Sequence, residues 1–300
     1  FECPDVPDNA YADGICAEHA IEELNRLKVQ PFFLAVGFHK PHLPFNAPKK
    51  YWDLYDESRI NVADNPFFPK DAPPEAATDW GELRGYYGIP KNGPMPDDLA
   101  RKLIHGYYAC VSYTDAMIGR VLDELDRLGL RKNTIVILWG DHGWKLGEHG
   151  MWCKHTNFEL DTHAALILSA PGMKAAGQRT RNLVEFVDIY PTLCDLAGLD
   201  KPAHLEGLSM APLLDDPGQP WKEAAYSQYP RGTLMGYSVR TDRYRYTEWR
   251  RIGRMEIEAR ELYDHENDPD ENVNIAGEVE NQATVERHSA LLKQGFKSIV

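Results

Sequence analysis

The hydrophobic pattern of the first third of the chain predicts a helix, a strand and then a long loop region. Residues 14–28 place apolar side chains at helical spacing, and residues 31–38 form an uninterrupted apolar run that predicts a buried strand. From Pro41 to Pro96 the chain is rich in Pro, Asp, Asn and Gly, which predicts surface loops with short structured pieces. Because loops on a rigid scaffold often carry binding residues, we expect this region to contribute to a site.

A second helix and two further apolar strands follow. Asp97 or Asp98 is expected to cap a helix that runs to about Leu128, and residues 134–139 and 164–169 are apolar throughout. Helices that alternate with uniformly apolar strands predict an α/β fold with a parallel type of sheet. All three strands are expected to be buried.

The pattern changes beyond Gly207. Residues 237–241 and 244–247 alternate polar and apolar positions about a turn at Asp242, which predicts a half-exposed hairpin, and a closing helix is predicted at about 279–296. We therefore predict two parts, residues 1–207 as an α/β domain and residues 208–300 as a small α+β subdomain.

Composition narrows the classes of function. With 33 basic and 46 acidic residues among 300, the net charge of -13 argues against nucleic acid as a partner, because phosphate backbones select basic surfaces. No apolar run is long enough to span a bilayer. Five cysteines without zinc-ribbon spacing make a disulfide framework or a structural zinc site an unfavourable interpretation. The chain begins at Phe1 rather than Met, so we expect the natural N-terminus to lie elsewhere.

The strongest chemical signal follows the strand predicted at 134–139, where residues 139–143 read Trp-Gly-Asp-His-Gly. Ligand sites of open α/β sheets lie at the carboxyl ends of strands. Asp141 and His142 can both face one cation there, and the glycines let the backbone approach it closely. An isolated Asp-His pair is more often only a turn, but residues 147–155 add further imidazoles, a lysine and an indole. The pattern therefore predicts a divalent metal site.

Two basic clusters accompany this pair. Lys154 is the candidate anion contact behind the metal, and residues 39–44 read His-Lys-Pro-His-Leu-Pro directly after the strand predicted at 31–38. A histidine can protonate a departing alcohol near neutral pH, which makes His39 and His42 candidate general acids. Alone, the second cluster would more often be structural. Together the clusters predict a basic pocket for an oxyanion at one edge of the sheet.

These motifs resemble those of the sulfatases of the alkaline phosphatase superfamily, with the greatest similarity to the iduronate-2-sulfatase branch. The resemblance rests on residues 39–44, 140–150 and 152–154, and it extends over nearly the whole chain. It implies a sheet sandwiched by helices, followed by a small C-terminal subdomain. It also implies an exported compartment, which would be periplasmic, extracellular or lysosomal.

The resemblance implies roles for seven side chains. They are Asp141 and His142 at a calcium ion, His42 and Lys154 at the sulfate, and His39, Trp144 and Glu148 at the sugar. His42 would be the proton donor. The implied reaction is hydrolysis of a sulfate ester on a saccharide that contains a uronic acid, as in glycosaminoglycan degradation.

One part of the family's machinery has no match within the 300 residues. The sulfatase nucleophile is a formylglycine made from the first residue of a Cys/Ser-x-Pro/Ala-Ser-Arg signature, whereas the only Ser-Arg pair here, Ser58 and Arg59, follows Tyr-Asp-Glu. The two aspartates that complete the family's metal site are also not matched. We therefore expect the chain to need the missing N-terminal part of the same enzyme and to be inactive alone.

Two other functions remain open. Phosphodiester and phosphonate hydrolases of the same superfamily share the Asp-His-Gly loop, and the nucleophile signature would distinguish them. Alternatively, the protein binds sulfated carbohydrate without turning it over. The acidic stretch from Asp264 to Glu271 lacks the glycine and closing glutamate of a calcium loop, so we interpret it as a solvated turn.

Overall fold

The computed structural model describes residues 1–254 and 256–296, which form two compact units. The first comprises residues 1–64 and 82–134, and the second comprises residues 65–81 and the described residues from Ile135 onward. The helices are α1 (Ala12–Leu27), α2 (Lys49–Trp52), α3 (Gly81–Arg84), α4 (Asp97–Arg127), α5 (Glu159–Thr162), α6 (Ile189–Ala197) and α7 (Gln282–Gly295). The strands are β1 (Val136–Trp139), β2 (Lys145–Leu146), β3 (Trp152–Cys153), β4 (Leu166–Ser169), β5 (Ala225–Arg231), β6 (Leu234–Arg240), β7 (Tyr244–Arg251) and β8 (Ile257–Asp264). The predicted division at residue 207 stays a prediction.

The first unit is built on α1 and α4, which confirms both predicted helices. Tyr113 of α4 is fully buried, and its hydroxyl donates to Asp8 O at 2.8 Å and accepts from Gly14 N at 2.7 Å. A Cβ at Gly14 would lie 2.1 Å from Asp8 O, so only glycine fits where α1 meets this turn. The predicted aspartate cap is wrong, because the residue before α4 is Pro96 and no side chain caps the helix.

The strand predicted at residues 31–38 does not form in the described part of the chain. These residues form no regular element and pair with no strand, and every second one is exposed, with Phe33 83% exposed. A run of apolar residues makes an extended backbone favourable, but a strand also requires a neighbour whose N–H and C=O groups complete the ladder.

Strands β1 and β4 form a two-stranded sheet that positions the candidate metal residues. They pair antiparallel, with Ile137 opposite Leu168, so the expectation of a parallel sheet is wrong for this pair. Helix α6 and the turn at Ala211–Leu214 contribute the buried residues against which one face of the pair packs. Ile167, on the other face, is 61% exposed, and the strands are therefore only partly buried.

Strands β5 to β8 form an antiparallel sheet in chain order, and α7 packs against it. The predicted hairpin is confirmed as β6 and β7, and the predicted closing helix as α7. The expectation that the hairpin is half exposed is wrong, because six of the eight residues of β7 are buried. One face packs under α7 through Tyr246, and the opposite face buries Trp249, so neither side of β7 is left to solvent.

Within the described residues, none of the helices is both long enough and apolar enough to cross a membrane.

Candidate functional site

The loop at residues 39–44 is fixed to the start of α1. The buried carboxylate of Asp13 accepts from His39 N at 2.9 Å and from Lys40 N at 2.8 Å. The Lys40 ammonium donates back to His42 O at 3.0 Å and to Pro44 O at 2.5 Å. The backbone that presents both imidazoles is therefore held by charge-assisted hydrogen bonds, which are the stronger kind.

Both ring nitrogens of His42 face acceptors. Nδ1 lies 3.0 Å from Leu43 O, and Nε2 lies 2.9 Å from Glu82 Oε1. Each nitrogen can donate to its acceptor when it carries hydrogen, and a proton donor must present such an N–H. The His39 ring lies beside it, with the ring centroids 5.0 Å apart. The first unit thus brings the two predicted imidazoles together.

In the second unit, the chain leaves β1 and turns sharply at the predicted metal residues. Asp141 Oδ2 lies 3.6 Å from His142 Nε2, and the Asp141 side chain is 85% exposed. His142 Nδ1 lies 2.7 Å from Gly143 O, so Nδ1 carries the hydrogen and donates it. In the neutral ring the lone pair is then on Nε2, which lies toward the Asp141 carboxylate. A backbone carbonyl that fixes the tautomer in this way is the usual support of a metal-binding histidine.

Three of the predicted side chains follow one another in space. The rings of His142 and Trp144 are stacked with centroids 5.9 Å apart, and Lys154 Nζ lies 4.9 Å from the centroid of the Trp144 ring. A cation over an indole face is held by the ring's quadrupole. The structure thus places Asp141, His142, Trp144 and Lys154 in one continuous group.

Glu148 serves the loop's own backbone. Its Oε2 accepts from Leu146 N at 2.6 Å, within a turn whose next residue, His149, has a φ of 57°. His149 is buried, with Nε2 2.8 Å from Asp270 O and its backbone N–H donating to Asn65 O at 2.8 Å. Glu148 therefore holds the shape of the loop, and its predicted contact with a sugar stays a prediction.

The sequence assigns no role to Lys145, which the structure places at the centre of a buried polar group. Lys145 is fully buried, and its Nζ lies 2.7 Å from Asp161 Oδ1 and donates to Thr156 Oγ1 at 2.7 Å. In the sequence, the one signal at Lys145 is a charged side chain between the apolar Trp144 and Leu146. Nothing local could name a partner 16 positions away.

A second group of metal-type side chains lies in the same unit. Glu159, His265 and Glu271 each offer an atom within 4.8 Å of the others. Two arginines already balance its two carboxylates, however. Arg245 Nε lies 2.8 Å from Glu271 Oε1, its NH2 contacts Glu159, and Arg240 Nε lies 3.1 Å from Glu159 Oε2. Glu271 and Asp264 are buried, so the interpretation of residues 264–271 as a solvated turn is wrong at its two ends, whereas residues 265–270 form a turn in which four of the six residues are exposed. The charge of this second group is compensated within the fold, so the group does not need a cation.

Comparison with protein families decides the kinship of the chain. A family model described as sulfatase matches residues 2–199, and one described as N-sulphoglucosamine sulphohydrolase, C-terminal, matches residues 147–297. The chain belongs to the sulfatase family. The sulfatase chain is 36% identical to the iduronate 2-sulfatase of Mus musculus, in an alignment that covers 91% of this chain and 64% of the mouse protein. It thus spans less than two thirds of the length of that relative.

Solved structures confirm the fold class. One, described as a complex with its substrate D-glucosamine-2-N,6-O-disulfate, matches with a TM-score of 0.81 and 24% identity, covering 96% of the sulfatase chain and 70% of the other. A phosphonate monoester hydrolase of Agrobacterium radiobacter matches with a TM-score of 0.79 and 24% identity, covering 97% and 62%. At these identities the likeness establishes the alkaline-phosphatase-like α/β fold, and the substrate must be argued from the site.

Proposed function

We propose that this chain supplies the sulfate-gripping and part of the metal-binding residues of a sulfuric ester hydrolase. The observation that carries the proposal is the placement of the Lys154 ammonium over Trp144, in the same loop as the Asp141 and His142 pair. A cation site next to a fixed ammonium is suited to an ester that already bears a negative charge. Such donors stabilise the charge that develops on oxygen during hydrolysis.

The residues present fit one divalent cation, which we propose to be calcium. The donors are an exposed carboxylate oxygen of Asp141 and the Nε2 lone pair of His142, and the 3.6 Å between them suits two ligands of one ion. When bound, the ion would polarise the oxygens of the ester. The two donors complete no ion's coordination by themselves, so we propose that further ligands come from outside these 300 residues.

The remaining predicted residues divide between the ester and the sugar. Lys154 would hold a sulfate oxygen, and the Trp144 indole would offer a flat face to the sugar ring. Glu148 and His39 would make further polar contacts with the sugar. His42, with acceptors at both ring nitrogens, would deliver a proton to the departing sugar oxygen.

We propose that the nucleophile of this hydrolysis is a formylglycine supplied from outside these 300 residues. The sulfatase signature that yields formylglycine does not occur in the printed sequence. The chain would therefore bind its ligands but not turn them over until a nucleophile-bearing segment of the same enzyme is supplied. We infer a sulfated, uronic-acid-containing saccharide as the substrate, as the similarity to iduronate 2-sulfatases suggests.

The proposal is tested by calorimetric titration of the 300-residue chain with calcium, and then with inorganic sulfate and a 2-sulfated uronate disaccharide. We expect Lys154→Ala to weaken sulfate binding at least tenfold, and Asp141→Asn to abolish calcium binding. Lys174→Ala is the matched control, since Lys174 is a lysine of the same unit with 75% exposure. Equal affinity of Lys154→Ala and Lys174→Ala for sulfate would overturn the proposal. Turnover by the isolated chain would overturn the inference that a further, nucleophile-bearing segment is needed.

A further inference from the structure

Lys154 lies in a short backbone segment that is strained on both sides. The residues before and after it, Cys153 and His155, have φ angles of 68° and 87°. These angles lie in the left-handed region that residues other than glycine rarely adopt. Such a conformation is unfavourable and persists only where the surrounding structure over-determines it. Residues 153–156 therefore keep this shape only because other groups hold them.

One buried residue holds both ends of this segment. The backbone of Lys145 pairs with Cys153 in the β2–β3 ladder, and the Lys145 ammonium donates to Thr156 Oγ1 at 2.7 Å. Lys154 thus projects from a bend that Lys145 holds at both ends. Its backbone pairs with Cys153, and its side chain bonds to Thr156. Lys145 itself is fully buried.

Asp161 completes the arrangement from α5. Its Oδ1 lies 2.7 Å from Lys145 Nζ, and its Oδ2 accepts from Thr156 N at 2.8 Å and from the Thr156 hydroxyl. Its carbonyl also accepts from Gly143 N at 2.8 Å, directly after the metal residues. Asp161 of α5 is therefore bonded on both sides of the loop, at Gly143, directly after His142, and at Thr156, two residues after Lys154.

We propose that the Lys145–Asp161 ion pair is a positioning device that aims Lys154 at the anion and keeps it in register with the metal residues. This inference rests on the proposed function, because it assigns the purpose of the pair to that same site. Lys145 and Asp161 are positioning residues, since neither is argued to touch the substrate.

Stability alone does not account for a charged pair at this place. Burial lowers the pKa of Lys145, and apolar side chains of similar volume commonly stabilise a fold as well as or better than a buried ion pair does. What an apolar pair cannot do is donate to Thr156 Oγ1 and accept from Thr156 N. Those directed bonds are the ones that fix the bend beneath Lys154.

The test compares Lys145→Met with Lys222→Met in the 300-residue chain. Lys222 is a matched control in the same unit, because its ammonium lies 2.5 Å from both Glu185 Oε2 and Asp188 Oδ2 and its side chain is only 15% exposed. Both variants should lower the melting temperature. We expect inorganic sulfate to bind about tenfold more weakly to Lys145→Met, as is typical when the support of a ligand is lost, and within twofold of the original affinity to Lys222→Met.

A milder pair of substitutions covers the case in which Lys145→Met does not fold. Thr156→Ser keeps the hydroxyl and should retain the sulfate affinity, whereas Thr156→Val keeps the shape, loses the hydroxyl and should weaken it. Equal sulfate affinities for these two variants, or equal losses for Lys145→Met and Lys222→Met, would overturn the inference.

A spectroscopic readout separates this inference from the proposed function. The indole N–H resonance of Trp144, assigned with Trp144→Phe, reports whether Lys154 still lies over the ring. It should shift in Lys145→Met or Thr156→Val and stay in place in Lys222→Met. If Lys154→Ala leaves sulfate affinity unchanged, the proposed function fails while the indole resonance still decides whether the ion pair positions Lys154. An unshifted resonance in both variants would overturn the positioning role.

Discussion

Two groups in the second unit contain the same kinds of side chain, namely carboxylates and imidazoles beside a cationic residue. In the first, Asp141 is 85% exposed and lies 3.6 Å from His142. In the second, Glu271 is buried and has His265 at 2.9 Å and Arg245 at 2.8 Å. Distance criteria alone select the second group as the better metal site, yet the first is the one we propose to bind calcium.

The difference between the groups is where their charge is balanced. Burial by itself would raise the pKa of Glu271, but the Arg245 guanidinium and His265 bring it below its ordinary value. Ion pairs with His163, Arg245 and Arg240 do the same for Glu159. The second group is therefore complete without a ligand, whereas the exposed carboxylate of Asp141 is left for solvent or a cation. In the second group the Arg245 guanidinium balances carboxylate charge, and in the first group a bound cation would do so.

Among the changes that test this comparison, Arg245→Met is expected to have the largest effect. Removing the guanidinium leaves two carboxylates facing each other inside the fold, and losing one partner of a buried pair costs about 3–5 kcal/mol. We expect a loss of that size in the free energy of unfolding, measured by urea titration. Calcium should recover part of it, because the vacated group then has three metal-type ligands.

Arg251→Met is the control for this change. Arg251 pairs with Glu258 at 2.7 Å on the surface of the same sheet, with side chains 43% and 32% exposed. Exposed pairs contribute about 0–1 kcal/mol, so this variant should lose little. If the two arginine variants lost equal stability, the second group could not be described as internally balanced.

Glu261 sharpens the comparison, because it is a buried carboxylate whose donors are neutral. Trp249 Nε1 donates to it at 2.6 Å and the Tyr263 hydroxyl at 2.7 Å, but burial still raises its pKa from 4.5 to about 7. The folded state therefore keeps a proton that the unfolded chain releases. Its contribution is fully present below about pH 4.5 and is lost as the pH rises to about 7, by about 3 kcal/mol.

Glu261→Gln should remove this part of the pH dependence. Unfolding free energies measured at pH 4.5, 6, 7 and 8 should fall less steeply for the variant than for the original chain, with the gap between them widening up to about pH 7. Parallel profiles would show that Glu261 is already ionised in the fold at low pH.

The fold was predictable from sequence where periodicity alone determines the structure. The spacing of apolar residues located α1, α4, α7 and the β6–β7 hairpin, because each depends on a local repeat. It failed where the outcome depends on a neighbour. Residues 31–38 lack a ladder partner in the described chain, β1 pairs with β4 in the antiparallel direction, and β7 is covered on both faces.

The same limit applies to the candidate site. The sequence predicted the Asp141, His142, Trp144 and Lys154 group, because all four lie within 14 positions of one another and a short loop must bring them close. The local pairing of His39 with His42 followed for the same reason. The bonds from Asp161 to Lys145 and of Arg245 to Glu271 join distant elements, and only the fold reveals them.

A smaller effect is expected from Gly143→Ala, which tests how tightly the loop that follows β1 is packed against α5. A Cβ at Gly143 would lie 1.9 Å from Leu160 O, so the loop would have to move and the bond from Gly143 N to Asp161 O would weaken. Overpacking of this kind costs about 1–3 kcal/mol. Gly140→Ala is the control, since its nearest contact would be an ordinary 3.6 Å. Thermal unfolding should separate the two variants, and equal melting temperatures would contradict the packing described.

The smallest change in stability should come from Asp141→Asn, and it bears most directly on the comparison. Because this side chain is exposed and, within the described part of the chain, pairs only with His142, its substitution should alter the free energy of unfolding by no more than about 0.5 kcal/mol. Calcium, which should raise the melting temperature of the original chain, should no longer do so in the variant. A charge that contributes nothing to the fold but is required for the effect of an ion belongs to a binding site. If Asp141→Asn instead destabilised the chain as much as Arg245→Met, both groups would be structural and the distinction between them would be lost.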